Sequence, residues 1–233
     1  MTTLREIFYS LDRNCDKWDP YFDVYERHFS KFVGKSPRIL EIGLWECGST
    51  ELWQKYFGPG TELVGIDIDR RINDHKLPDQ TVYLADQSDP THWELFLEAE
   101  PEPFDIILDD GGHQMHHQIT TLKTMINQVR DGGVYMCEDN HTSYMSHSPW
   151  HAGYKTSNNF IEYTKDIIDV LHDEWTRTDS EAATHDSPQI PIELVERYNR
   201  IQGIHYYDSI VVYDIGPKSK NERVRSRNKY MNQ

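Results

Sequence analysis

Five short apolar runs, each carrying a carboxylate at or near its end, constrain this chain more than any other feature. They are RILEIG, ELVGIDI, TVYLAD, FDIILDD and GVYMCED, all between Arg38 and Asp139. Helix-like stretches separate several of them: STELWQKYFG, PTHWELFLEA and HHQITTLKTMINQVRDGG, the last closing on Gly132 and Gly133 as a helix stop. Strands that are apolar throughout, alternating with helices, predict a parallel, doubly wound α/β sheet. In such sheets ligands bind beyond the carboxyl ends of the strands, at the point where strand order reverses. The residues to watch are therefore Glu41 and Gly43, Asp67 and Asp69, Asp86 and Gln87, Asp109 and Asp110, and Glu138 and Asp139. One such acid is readily explained as a cap for the next helix. Five in succession are not.

The flanks read differently. Residues 1–36 predict a helical segment packed on the sheet edge. Residues 37–139 form the cofactor-binding core. Residues 140–200 begin with a polar, aromatic, histidine-rich stretch and read as a lid with helices. Residues 201–216 predict a closing β-hairpin turned near Asp208 and Ser209. Residues 217–233 form a basic tail. The expectation is one domain with a lid insertion.

Composition narrows the function. A formal net charge of −15 over 233 residues repels phosphate backbones, so no nucleic-acid partner is expected. Three cysteines without metal-type spacing fit a reduced, cytoplasmic protein. The first residues hold no apolar core of a signal peptide, and no run is long enough to span a bilayer.

The first strand runs into a loop that reads E-x-G-x-x-x-C-G-S from Glu41 to Ser49, not G-x-G-x-x-G. A pyrophosphate tolerates no neighbouring acid, whereas Glu41 suits a cationic or hydroxylic group. An acid after the second strand, Asp67, suits ribose hydroxyls. S-adenosylmethionine offers an ammonium, a sulfonium and a ribose.

Together the segments DKW, YFDVYERHF, LEIGLWECGSTELWQKYFG, GIDID, ADQSD, DIILDDGGH, GGVYMCEDNHTSY and GIHYYDSIVVYD resemble class I S-adenosylmethionine-dependent methyltransferases. More narrowly, they resemble the O-methyltransferases that act on macrolide sugars, of the mycinamicin and macrocin type, and their relatives in polysaccharide gene clusters. The resemblance runs from about Asp16 to Asp214. It implies a Rossmann-like, mostly parallel sheet with a C-terminal β-hairpin and a lid insertion. It implies a metal-assisted transfer of a methyl group from S-adenosylmethionine to a sugar hydroxyl of a glycan or glycosylated natural product. It also suggests a homo-oligomer.

The resemblance further implies roles. Glu41 and Gly43 would line the methionine end, Asp67 the ribose, and Asp86 and Gln87 the adenine. Ser49 and Asp109 complete the cofactor-binding set. Asp109, Glu138 and Asp139 would hold a divalent cation, and hard carboxylate oxygens suit magnesium; Asp110 is the rival to Asp109. The hydroxyl proton needs an acceptor, and histidine has the ordinary pKa for it. His205 is the first expectation, His141 the second, with His113, His116 and His117 as further candidates and Asp139 beside them. Tyr144, Trp150 and Tyr154 could offer aromatic faces to a sugar or simply pack the lid. Cys47 departs from the pattern, which has glycine there. If position 47 needs a positive φ, the cysteine costs about 1–2 kcal/mol and weakens cofactor binding. That leaves a catalytically altered binding module as the second reading and an oxidoreductase as the third.

Overall fold

The computed structural model describes residues 2–176 and 189–218. Nearly all of the basic tail, and residues 177–188, lie outside those residues. The strands are β1 Arg38–Ile42, β2 Glu62–Asp67, β3 Gln80–Leu84, β4 Phe104–Asp109, β5 Val129–Cys137, β6 Ile201–Tyr206 and β7 Val211–Ile215. They form a seven-stranded sheet in the order β3-β2-β1-β4-β5-β7-β6. β1 to β5 are parallel, and β7 runs antiparallel to both β5 and β6. The helices are α1 Leu4–Phe8, α2 Tyr21–Phe29, α3 Gly48–Phe57, α4 Ile72–His75, α5 Pro90–Ala99, α6 Met115–Met125, α7 Phe160–Val170, α8 Asp173–Thr176 and α9 Ile192–Tyr198.

Both faces of the sheet are covered, which is why its strands are apolar at successive positions. Leu40, Ile107, Tyr135 and Tyr213 point to one face and pack with α5, α6 and α7. Ile39, Ile106, Leu108, Val134 and Met136 point to the other and pack with α1, α2 and α3. The helix starts follow local chemistry. Asp89 accepts from the Thr91 backbone N–H and Pro90 occupies the first turn of α5, while Asn159 accepts from Glu162 at the start of α7.

Two expectations are corrected. The N-terminal segment covers the face of the sheet and not its edge. Its aromatic stripe, including Tyr25 and Phe29, needs the broad apolar surface around Trp53 and Phe57. Gly132 and Gly133 do not stop a helix. α6 ends at Met125, and a 3-10 turn over Ile126–Gln128 leads into β5 at Val129. Ile126 and Val129 are buried, so the core draws the chain into the sheet. A side chain at Gly133 would stand 2.7 Å from the Asp105 carbonyl oxygen, so the glycine permits close approach to β4.

Candidate functional site

Chain order reverses between β1 and β4, and a cavity of about 720 Å³ opens at the carboxyl ends of the strands there. Its floor begins at Gly43, which has φ +84, and at Trp45, which has φ +46. Asp67 braces this loop. Its Oδ2 accepts from the Leu44 N–H at 2.8 Å and the Trp45 N–H at 3.1 Å, and its Oδ1 accepts from the Asp69 N–H at 2.7 Å. Asp67, Asp86, Gln87, Ser49 and Gly43 all line the cavity. Glu41 does not. It is buried beneath the loop, where it accepts from Thr50 Oγ1 and Trp53 Nε1, both at 3.1 Å, and burial raises its pKa. Its carboxylate ties α3 to β1.

Cys47 is the residue before α3 and adopts φ +58, the left-handed region. Its side chain is buried with Leu44 and Ile72, and the thiol points at Gln80 Oε1, 3.4 Å away. The glycine the turn requires is Gly48, where a Cβ would lie 2.0 Å from the Asn14 carbonyl oxygen.

The opposite wall is acidic. Asp110, Glu138 and Asp139 line the cavity; Asp109 does not. Both Asp109 oxygens face inward, one accepting from Gln87 Nε2 at 3.0 Å and the other from the Tyr135 hydroxyl at 3.3 Å. Burial pushes its pKa up to about 6. The structure therefore gathers Asp110, and not Asp109, with His113 and Asp139, whose ligand-type atoms lie within 4.8 Å of one another. Strand alternation explains the exchange: in β4 Ile107 and Asp109 share one face, leaving the next residue to turn into the loop.

A cation already sits in this wall. The Lys17 ammonium donates to Asp110 Oδ2 and, at 2.8 Å, to Glu138 Oε2. Burial pushes the Lys17 pKa down, but Asp110 and Glu138 carry it above its ordinary value. Burial lifts the Glu138 carboxyl, and Lys17 opposes that lift. Two further oxygens are held from α2: the Tyr25 hydroxyl donates to Glu138 Oε1 and the Tyr21 hydroxyl to Asp139 Oδ1, each at 2.6 Å. Three hard carboxylates that draw a buried ammonium between two of them are a donor set fitted to a divalent cation.

Of the expected histidines, His141 and His113 reach the cavity and His205 does not. His113 Nε2 stands 3.5 Å from Asp139 Oδ2, and its buried Nδ1 has no hydrogen-bond partner among the described residues. His141 Nδ1 is 2.6 Å from Ser209 Oγ and 3.8 Å from Asp139 Oδ1. His205 pairs with Asp214 in the β6–β7 hairpin. His117 also lines the cavity. At the mouth, exposed Trp18 meets His141 edge to face, with ring centroids 6.0 Å apart. Trp150 lines the cavity, whereas Tyr144 and Tyr154 are exposed outside it. Sequence reading assigned no role to Lys17, Tyr21 or Tyr25; the signal was their place in DKW and YFDVYERHF, with the tyrosines one helical turn apart.

The sheet order and the ligand cavity at its switch point define the class I S-adenosylmethionine-dependent methyltransferase fold. Within that class the chain resembles the O-methyltransferases of glycosylated natural products. It is 29% identical over 216 residues to the 8-demethyl-8-(2-methoxy-alpha-L-rhamnosyl)-tetracenomycin-C 3′-O-methyltransferase of Streptomyces olivaceus, covering 87% of this chain and 51% of that protein. It is 32% identical over 174 residues to the 8-demethyl-8-alpha-L-rhamnosyl tetracenomycin-C 2′-O-methyltransferase of the same organism, covering 70% and 44%. The solved structure of the MycE methyltransferase from the mycinamycin biosynthetic pathway, in complex with magnesium, S-adenosylhomocysteine and mycinamycin VI, superposes with a TM-score of 0.70 at 25% identity over 92% of this chain and 53% of that one. The chain thus spans about half the length of the relatives it matches. No family model matches it.

Proposed function

We propose that this domain transfers a methyl group from S-adenosylmethionine to a hydroxyl of a sugar, in a glycan or glycosylated natural product, with a divalent cation assisting. One observation carries the reading: the braced loop at Gly43–Trp45 and the carboxylates Asp110, Glu138 and Asp139 face the same cavity. The named activities of the relatives, and the magnesium and S-adenosylhomocysteine in the MycE complex, support it. The acidic balance of the chain argues against a nucleic-acid substrate. Among the described residues no helix is long and apolar enough to cross a membrane.

In this reading Gly43 and its neighbours admit the methionine end, Asp67 takes the ribose, and Asp86 with Gln87 borders the adenine. Asp110, Glu138 and Asp139 would hold the metal, Asp110 replacing Asp109. A divalent cation there supplies positive charge that lowers the pKa of a nearby sugar hydroxyl. His113 Nε2 takes the hydroxyl proton, and Asp139 stabilises the imidazolium that results. His141 orients Trp18, whose exposed indole gives a sugar an apolar face. The altered binding module stays the second reading, because Cys47 does adopt the positive φ that motivates it; against it, the thiol faces Gln80 and Cys47 does not line the cavity.

Calorimetric titration with S-adenosylhomocysteine, with and without magnesium, tests the cofactor half. Micromolar binding is expected, and absence of binding in both conditions overturns the reading. Methyl transfer to a panel of sugar acceptors tests the other half. Removing a general base costs about 10²–10⁴-fold, so His113→Ala should lower kcat by that factor with cofactor affinity retained.

A further inference from the structure

A second cluster of metal-type side chains lies outside the cavity. It joins α2 to the hairpin: His28 from α2, His205 from β6 and Asp214 from β7. Their ligand-type atoms all lie within 4.8 Å of one another. His205 Nε2 is 2.7 Å from Asp214 Oδ2, and His28 Nδ1 is 3.9 Å from Asp214 Oδ1. We propose that these three residues form a second, separate metal site for a zinc-type transition dication, which clamps α2 to the C-terminal hairpin.

Four observations carry this. First, the donor set is two imidazoles and one carboxylate, which suits zinc, cobalt, nickel or iron and not magnesium. The acidic wall of the cavity has the opposite, all-oxygen preference. Second, the carboxylate is shared: Asp214 Oδ2 faces His205 Nε2 and Oδ1 faces His28 Nδ1, so both imidazoles converge on one acid. Third, the far nitrogen of His28 is already fixed: its Nε2 lies 2.9 Å from the Tyr207 hydroxyl. A metal-bound histidine ordinarily donates its other N–H to such a partner, which leaves Nδ1 as the ligand. Fourth, the cluster has an entrance. His28 is buried, but the His205 and Asp214 side chains are 41% and 33% exposed. Beside them Gly203 carries no side chain where a Cβ would stand 3.5 Å from His205 Nε2 and 3.7 Å from Asp214 Oδ2.

The adjustment required is small. Ligands at about 2.0–2.1 Å around a tetrahedral ion stand roughly 3.3 Å apart. The His205–Asp214 pair would open by about 0.6 Å, and the His28–Asp214 gap would close by about 0.6 Å. Three protein ligands leave the fourth position to water. Lys31 is the other cation that Asp214 feels, and a dication at the cluster outcompetes a lone ammonium there. The clamp has a consequence for the cavity. Tyr21, Tyr25 and His28 lie along one side of α2, and the two tyrosines hold Asp139 and Glu138. Fixing His28 to the hairpin therefore fixes the helix that supports the acidic wall.

The test is titration of metal-stripped protein with Co²⁺ in millimolar magnesium, followed by atomic absorption and visible spectroscopy, for the wild type, His205→Ala and Asp214→Asn. The wild type should take up one equivalent more than either variant and show d–d bands that both variants lack. Zn²⁺ at a hundredfold excess over Kd should raise the wild-type Tm by about 5–10 °C and leave both variants unshifted. Equal uptake and identical spectra in all three proteins would overturn the proposal and leave an Asp–His hydrogen bond. Asp214→Asn preserves shape and one acceptor, so it reports on the site even if His205→Ala folds poorly.

Discussion

At the scale of single residues, the positions around the cavity are defined by backbone conformations that side chains resist. Gly43, Trp45, His113 and Asp139 all have positive φ and all line the cavity. Left-handed residues concentrated where strand ends meet loops are a mark of sites held by their surroundings. Gly43 is the least replaceable. It has φ +84, and a Cβ there would lie 2.1 Å from the Asp110 carbonyl oxygen. That oxygen is backbone beside the proposed metal ligand, so it cannot move aside without displacing the acidic wall. Gly43→Ala should lower stability by more than the about 1–2 kcal/mol that the φ alone costs, because of the added clash, and abolish S-adenosylhomocysteine binding. Urea unfolding and calorimetry check both. Cys47 is the contrasting case. Changing it to glycine relieves about 1–2 kcal/mol of left-handed strain. It also gives up a buried thiol and frees the unfolded chain, a loss of similar size. Cys47→Gly should therefore move stability by less than about 1 kcal/mol and leave cofactor affinity within a few-fold, since the thiol lies outside the cavity. A large gain in affinity would show that the loop itself is distorted.

Among the elements, α2 links the N-terminal segment to the chemistry. The sequence predicts only a helical segment over residues 1–36 with a packing role. Its apolar residues, Phe22, Val24 and Phe29, do pack on the sheet. Tyr21 and Tyr25, however, place hydroxyls on the two carboxylates at the end of β5. The inner strands β1, β2 and β4 are legible because they are buried on both faces and so read as nearly unbroken apolar runs. The start of β5 was not, since Arg130, Asp131, Gly132 and Gly133 interrupt that run before it settles at Val134. Asp109 and Asp110 illustrate the limit at the site. Two adjacent acids on one strand end point in opposite directions, and which one faces the ligand depends on strand phase that apolar composition does not fix. His205 was misplaced for a related reason: the hairpin carries it away from the cavity. Tyr25→Phe isolates the α2 contribution. It leaves Glu138 Oε1 buried without its donor, a loss of about 1–3 kcal/mol. The expected readout is a lower urea midpoint with an unchanged slope and a weakened response to magnesium.

Over the whole molecule, the proposed metal site would make Lys17 a link between folding and cation binding. It comes from the N-terminal segment, crosses to the far ends of β4 and β5, and pairs with Asp110 and Glu138 while almost wholly buried. Without metal, this ammonium is what makes the burial of two carboxylates tolerable. Breaking a buried pair by removing one partner costs about 3–5 kcal/mol, because the charge left behind has lost both water and partner. Lys17→Met should therefore lower the stability of metal-free protein by roughly that amount. Magnesium at the proposed site would draw on the same oxygens as the ammonium, however. Without the lysine, a dication meets less competition, and each increment of metal occupancy stabilises the fold by mass action. The expected result is a variant whose Tm is several degrees below wild type in chelator and climbs more steeply with magnesium. Calorimetry should show tighter magnesium binding to Lys17→Met than to wild type. A variant equally destabilised at every magnesium concentration would mean that Lys17 only bridges structure, and that the cation binds elsewhere in the cavity.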